Sequence, residues 1–344
     1  MKNFLLLLFS ILIGCLLAEI GIRSWGLPFA INISRTEFSE RGYLLNPNSG
    51  TGWQQIRKTR ILCHYYSPHL RDTAVNPQSI PILVLGDSFT FGWLLPAEQT
   101  YVHRLQIESD HVFGKDKYRF LNAAVGGWGA ADFLAYLEEY GDQVSPKYVL
   151  IFLNTDDIGR AMKRNIYTLA NAHSLQLTAN FHPLPKIKLR EMLFNNWLYE
   201  HSLLLQLVRN TISKYTNASL SSNTIVPASP DLQFDNALAI RYGEALFLSI
   251  HQWCKTHHAQ LLVITTGFNA FYPKNLHDPT QIFLSQASSF FAKENIPYYD
   301  MGASFKYTVG NKNFQIPGDC HPNELGTKVI TQLSWPWLKQ RLRV

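Results

Sequence analysis

The chain has 344 residues with 46% hydrophobic and 13% aromatic content, enough to bury one large core or two modest ones. Its 31 Lys and Arg against 25 Asp and Glu leave a net charge of only +6, and no basic cluster tracks phosphates, which argues against a nucleic-acid partner. Cys15, Cys63, Cys254 and Cys320 have neither C-x-x-C nor zinc-finger spacing, so no disulfide framework or metal module is expected, and a Cys63–Cys254 bridge stays open.

Residues Phe4 to Ala18 form an uninterrupted apolar or small run, ended by Glu19. The run is short for a spanning helix and right for a signal h-region, yet no A-x-A cleavage site comes after it. We read residues 1–24 as an uncleaved signal anchor that holds the remainder on the extracytoplasmic side of the membrane. Leu12-Ile13-Gly14-Cys15 has the form of a lipidation box, but Leu16 and Leu17 continue the apolar run where a processing site turns polar. Residues 25–78, rich in Pro, Gly, Asn, Ser and aromatics, are expected to be a membrane-proximal wrapping segment with little regular structure.

Ile82-Leu83-Val84-Leu85 reads as a buried parallel strand that ends abruptly in Gly86-Asp87-Ser88. Next along the chain are a helix from Ala97 to Glu108, a strand Tyr118–Leu121, a helix Ala130–Tyr140 stopped by Gly141, and a strand Tyr148–Leu153. Residues 160–235 interrupt the alternation with a long apolar stripe, Leu189 to Val208, and are expected to form a mostly helical insertion, either over the crevice or directed away from it. Alternation resumes with helix Ala237–Thr256, strand Leu261–Thr266, helix Thr280–Glu294, strand Pro297–Asp300 and a last helix Glu324–Arg341. Strands alternating with helices predict a three-layer α/β, flavodoxin-like fold with five parallel strands in residues 79–344.

Ser88 stands just past the carboxyl end of the first such strand, where open α/β sheets gather ligands. A serine hydroxyl is a weak nucleophile until a positioned base takes its proton. The candidate base is His321 in Gly318-Asp319-Cys320-His321-Pro322-Asn323, just before the last helix. Together, Gly86-Asp87-Ser88-Phe89-Thr90-Phe91-Gly92 and this late block resemble the first and last blocks of the SGNH/GDSL hydrolase superfamily, in a membrane-anchored branch of the GDSF type. Leu70-Arg71-Asp72 is like the lead-in of the same bacterial members.

The resemblance implies an esterase with Ser88 as nucleophile, His321 as base and no cofactor or metal. The usual Asp-x-x-His spacing would fall on Gly318. The Asp-x-His spacing of branches that include alginate O-acetyltransferases assigns the orienting carboxylate to Asp319, with Asp300 as fallback. Asn122 to Gly129 is similar to the second block, whose glycine falls on Gly127, so the N–H groups of Ser88 and Gly127 are expected to line an oxyanion hole. The third block, normally Gly-x-Asn-Asp, is altered to Asn154-Thr155-Asp156-Asp157. Register puts Asp156 on the asparagine's place, and Asn154 is preferred as the third donor. Trp93 and Trp128, each after a motif glycine, are expected at a substrate rim.

Three functions compete for this set of residues: an esterase acting on an O-acyl carbohydrate or small acyl ester, an O-acetyltransferase acting on an envelope polysaccharide, and an inactive domain that binds glycans. The expected partners are the ester substrate and the membrane. The oligomeric state is left open.

Overall fold

The computed structural model describes residues 2–32, 37–171, 174–178, 198, 201–216, 236–268 and 278–342. Helix α1 (Lys2–Trp25) buries none of its residues, and its most apolar window has a mean hydropathy of 2.6, so it is long and apolar enough to cross a membrane or to be a signal sequence. Only Gly26 separates it from strand β1 (Leu27–Asn32).

Regular structure fills much of the segment expected to have little of it. Strands β2 (Glu37–Phe38) and β3 (Leu44–Leu45) pair as a small ribbon, and β4 (Gly50–Arg57) and β5 (Thr59–Tyr66) form a hairpin that leads to β6 (Leu70–Arg71). Ile61, Cys63 and Tyr65 of β5 are buried and alternate with exposed neighbours, as a half-buried strand requires. The alternation is hidden in the sequence because the outward residues include Leu62 and Tyr66, so hydrophobicity does not alternate with the side chains' direction. These strands extend the main sheet in antiparallel fashion, joining it where Arg71 lies opposite Asn122.

The next strand, β7 (Ile80–Leu85), leads into a single helical turn, α2 (Ser88–Phe91). Then come α3 (Tyr101–Phe113), β8 (Tyr118–Asn122), α4 (Ala130–Val144), β9 (Tyr148–Leu153) and α5 (Asp157–Arg164). After a ribbon of β10 (Tyr167–Leu169) and β11 (Leu175–Leu177), the chain forms α6 (Leu203–Thr216), α7 (Asn236–Thr256), β12 (Gln260–Thr265), α8 (Pro279–Lys293), β13 (Tyr298–Asp300), α9 (Gly302–Val309) and α10 (Glu324–Lys339). The parallel strands stand in the order β8-β7-β9-β12-β13, which is second, first, third, fourth, fifth along the chain. That is the flavodoxin-like order, with its switch point beside β7.

Two apolar cores cover the sheet. Leu83 and Leu85 of β7 pack with Phe133 and Leu137 of α4 and Phe247 of α7, while Ile82 and Val84 pack with Leu105 of α3, Phe305 of α9 and Ile330 of α10. A strand covered on both faces reads as a continuous apolar run, which is why Ile82–Leu85 stands out in the sequence.

Gly141 does not stop α4. The helix runs on to Val144 and is closed by Ser145 at φ 46°. Gly141 instead lets α7 approach, since a Cβ there would lie 2.3 Å from Trp253 Cζ2. All four cysteines are free, with Cys63 and Cys254 in different cores. Of the expected insertion, Ser219–Ser229 and most of the Leu189–Val208 stripe lie outside the described residues. Its described helix, α6, packs on α1 and β1.

Candidate active site

The turn after β7 is built by sterics and capping. Asp87 is fully buried and its Oδ1 accepts the Phe89 N–H at 2.9 Å, so Ser88 opens α2. Gly86 has to lack a side chain, because a Cβ there would lie 2.0 Å from Thr90 Oγ1, which accepts the Tyr101 hydroxyl at 2.6 Å. Gly92, at φ 86°, ends the turn.

Arg71 pins the end of α2 and the segment up to Leu95. Its guanidinium is fully buried, lies 4.2 Å from the Phe91 ring centroid, and donates to the carbonyls of Phe91, Gly92 (2.8 Å) and Leu95 (2.6 Å) and to Asp72 Oδ2 (2.7 Å). Arg71→Met leaves those buried acceptors without a donor and is expected to cost about 3–5 kcal/mol, read as a lowered midpoint of thermal or urea unfolding.

The loop before α10 brings the second motif to Ser88. Asn323 caps α10 through the N–H groups of Leu325 (2.9 Å) and Gly326 (3.1 Å), and an isolated bridge joins Gln315 to Pro322. His321 Nε2 lies 2.7 Å from Ser88 Oγ, while its Nδ1 bonds Asp319 Oδ1. The same Oδ1 accepts the His321 backbone N–H at 2.9 Å. With Nδ1–H directed at Asp319, Nε2 remains the acceptor for the Ser88 hydroxyl.

A carboxylate two residues before the histidine therefore suffices, because the chain turns at Gly318 (φ 82°) and Asp319 folds back over the loop. Asp300 is exposed and is spent on the Gly302 N–H at 2.8 Å. Burial opposes the charged imidazole, but the Asp319 hydrogen bond and charge outweigh it and raise the His321 pKa to about 9. Burial likewise opposes the Asp319 carboxylate, and the two bonds from His321 hold it below its usual range. Asp319, exposed Cys320 and His321 place three donor atoms within 4.8 Å of one another. The nitrogen nearest that cluster is the one bonded to Asp319, so a cation held there and an oriented imidazole exclude each other.

On the other side of Ser88 lies the loop after β8. A Cβ built on Gly126 would be 3.8 Å from Ser88 Cβ, and the N–H groups of Ser88, Gly126 and Gly127 have no partner among the described residues. Two arginines one turn apart on α5 hold the loop's carbonyls. Arg164 donates to Gly127 O at 2.6 Å and pairs with buried Asp132, while Arg160 donates to Trp128 O at 3.1 Å and to Asp87 Oδ2 at 2.8 Å. The loop lies flush on α5, since a Cβ on Gly129 would meet Asp157 O at 2.4 Å. Sequence reasoning misses both arginines, because nothing in the chain distinguishes Arg160 and Arg164 from the solvated basic face of a surface helix.

Neither residue expected to supply the third oxyanion donor is placed for it. Asn154 has no solvent exposure: its amide donates to Asp87 Oδ2 at 3.1 Å and accepts from Thr266 Oγ1 at 3.0 Å, so it braces the Asp87 turn against the end of β12. Asp156 points to solvent and pairs with Arg160 at 3.1 Å. Trp128 also departs from expectation. It is fully buried among Tyr43, Phe133 and Tyr136, with its indole N–H on Leu44 O at 2.6 Å, because the glycines that flank it turn the chain inward. Trp93 remains at the edge of the site, partly exposed, its ring centroid 6.0 Å from that of His321.

No family model matches the chain, and no curated protein matches it. Among solved structures, the chain is similar to TesA, with 18% identity over 76% of this chain and 99% of that one and a TM-score of 0.42. It is similar to the psychrotrophic esterase EstA from Pseudoalteromonas sp., with 15% identity, 76% and 98% coverage and a TM-score of 0.41. It is also similar to the acetyl xylan esterase AlAXEase, with 13% identity, 75% and 100% coverage and a TM-score of 0.43.

Proposed function

We propose that this chain is a serine esterase of the SGNH/GDSL type, with residues 1–24 retained as a membrane anchor and the remainder on the extracytoplasmic side. The observation that carries the reading is the Ser88–His321–Asp319 relay, with Ser88 Oγ 2.7 Å from Nε2 and Asp319 on the other ring nitrogen. In this mechanism His321 takes the Ser88 proton as Oγ attacks an ester carbonyl, and Asp319 stabilises the imidazolium that forms. The oxyanion is received by the N–H of Ser88 and by those of Gly126 and Gly127. His321 then protonates the departing alcohol, and water, activated by the same imidazole, releases the acid from the acyl-enzyme.

A second reading is favoured by one observation, the partly exposed Trp93 ring beside His321, which offers a face for a sugar. A sugar hydroxyl would then replace water, making the chain an O-acetyltransferase for an envelope polysaccharide. The reading as an inactive glycan-binding domain rests on the altered third block, and the hydrogen-bonded succession of Ser88, His321 and Asp319 speaks for the enzymatic readings over it.

The test is hydrolysis of p-nitrophenyl esters, from acetate to long acyl chains, by the full chain in detergent. Ser88→Ala and His321→Ala are each expected to lower kcat by about 10⁴ or more. Full activity in either variant overturns the serine mechanism. Faster release of the acyl group on adding a soluble glycan, with an acylated glycan as product, selects the transferase.

A further inference from the structure

Helix α1 is gripped by the rest of the chain. Its Glu19 accepts the Ser202 hydroxyl at 3.0 Å and the N–H groups of Leu203 at 3.0 Å and Leu204 at 2.9 Å, capping α6 from another element. Arg23, one turn further on, pairs with Glu19 at 2.8 Å and donates to His201 O at 2.5 Å. Ile22, Leu203 and Leu207 of α6 and Trp53 of β4 pack against one shared apolar cluster. The anchor is therefore fastened to the insertion, to the antiparallel extension, and through the lone residue Gly26 to β1.

These contacts set the depth of α6. The apolar run Phe4–Ala18 spans about 23 Å as a helix, somewhat less than the ~30 Å hydrocarbon layer, so the charged Glu19–Arg23 pair lies where hydrocarbon gives way to headgroups. Because Glu19 holds the first turn of α6, that helix begins at the same level. Around this junction apolar side chains stand exposed: Trp25 at 89%, Leu198 at 58% and Val208 at 43%. A tryptophan at the end of a spanning helix suits the headgroup layer, where its amphipathic ring has both apolar and polar neighbours.

We propose that α6 and Trp25 lie in the headgroup layer of the bilayer entered by α1, and that the Ser88 crevice is thereby held at the membrane surface to act on an ester carried by a membrane-bound lipid. The substrate part of this rests on the esterase reading above. The reason is reach: a one-residue connection adds no more than about 4 Å, and a folded domain of this length has a radius of gyration of about 20 Å. The crevice therefore stays within one domain's breadth of the lipid, with no flexible tether between α1 and β1 to carry it to distant polymers.

The experiment uses the full chain in vesicles of phosphatidylethanolamine and phosphatidylglycerol. A fluorophore is placed on Val208→Cys or, as control, on Tyr307→Cys, a 90% exposed position on α9, with the exposed Cys15 and Cys320 changed to serine. A headgroup-depth spin-labelled lipid is expected to quench the label at 208 and not the one at 307. Equal quenching at the two positions, or none at 208, overturns the interfacial placement of α6 and leaves a protein partner or solvent on that face.

Turnover is then compared on soluble p-nitrophenyl acetate and on a fluorogenic ester borne by a dialkylglycerol lipid in the same vesicles. Glu19→Ala with Arg23→Ala, and separately Val208→Asp, are expected to lower hydrolysis of the lipid-borne ester about tenfold or more while leaving the soluble ester unchanged. Unchanged turnover of both esters, or parallel loss of both in Val208→Asp, overturns the substrate proposal with the esterase reading intact. A wild-type chain that hydrolyses neither ester takes down the esterase reading and the substrate class with it, while the quenching result still decides where α6 lies.

Discussion

Replacing Asp319 by asparagine is expected to lower kcat for ester hydrolysis by about 10⁴ and to move the acid limb of the pH profile downward. The direction depends on who holds the proton. His321 acts as a base only when Nε2 is free, so activity is absent below its pKa and appears as pH rises through it. In the free enzyme that pKa is raised from 6.5 to about 9, because the Asp319 bond and charge outweigh burial, and kcat/KM should climb to a plateau above pH 9. In Asp319→Asn the largest raising influence is gone while burial and the smaller contribution of Cys320 remain, so the limb moves downward from pH 9. The asparagine amide also donates toward Nδ1, which leaves the proton on Nε2 and faces Ser88 with the wrong tautomer. Measuring kcat/KM for an uncharged ester from acid to alkaline pH in both proteins checks the two effects together. A limb that stays in place in Asp319→Asn would show that Asp319 does not set the base.

The second large effect concerns the loop opposite His321. Arg160 and Arg164 hold the Trp128 and Gly127 carbonyls on the α5 side, and the N–H groups of the same peptides are bonded to Asp132 Oδ2 and Val125 O, so the loop that carries Gly126 and Gly127 past Ser88 is tied at its far end. Each guanidinium is itself fixed by a buried carboxylate, Asp87 or Asp132. In Arg164→Gln the loop that carries the Gly126 and Gly127 N–H groups loses its tie at the Gly127 carbonyl, and misalignment of one oxyanion donor corresponds to a fall in kcat of about 10²–10³. KM is expected to hold, because the donor acts on charge that develops only in the transition state. Arg164→Lys, which keeps the charge and one donor, should recover part of the loss. A rise in KM at constant kcat in Arg164→Gln would instead assign the arginine to substrate binding. Because Arg160 also braces Asp87, Arg160→Gln is expected to lower stability as well as kcat, so Arg164 is the cleaner probe.

The parts of this molecule legible in the sequence are those encoded locally. Four of the five parallel strands announce themselves because both their faces are largely buried, the edge strand β13 being half-exposed, and Ser88 stands out because the steric fit of Gly86 to Thr90 and the cap at Asp87 leave a short, recognisable string. His321 and Asp319 are legible for a similar reason: a Gly-Asp-x-His-Pro-Asn loop must turn, present its imidazole and cap a helix within six residues. The two blocks lie 233 residues apart, and the parallel topology brings them together by returning the last connection to the same end of the sheet as the end of β7.

The features that the sequence hides depend on contacts between segments. The extension β4–β5 has an outward face with its own apolar residues, so its period vanishes from the sequence. Trp128 carries the same local signature as Trp93, a tryptophan after a motif glycine, yet the first enters the core beneath Tyr43 and the second stays beside His321. Register along a strand end cannot place Asn154 and Asp156, because their fates are decided by partners elsewhere: Asp87 and Thr266 take the first, Arg160 the second. A glycine such as Gly141 reads as a stop from its own neighbours and as a packing site only once Trp253 is placed over it.

The central claim, that Ser88 is a nucleophile driven by His321, is tested most directly by covalent trapping. The full chain is treated at pH 9 with a fluorophosphonate and the labelled residue is mapped by mass spectrometry. One adduct on Ser88, formed at a rate that falls by about 10³ or more in His321→Ala, is the result expected. Labelling elsewhere, or Ser88 labelling that is indifferent to His321, would contradict it.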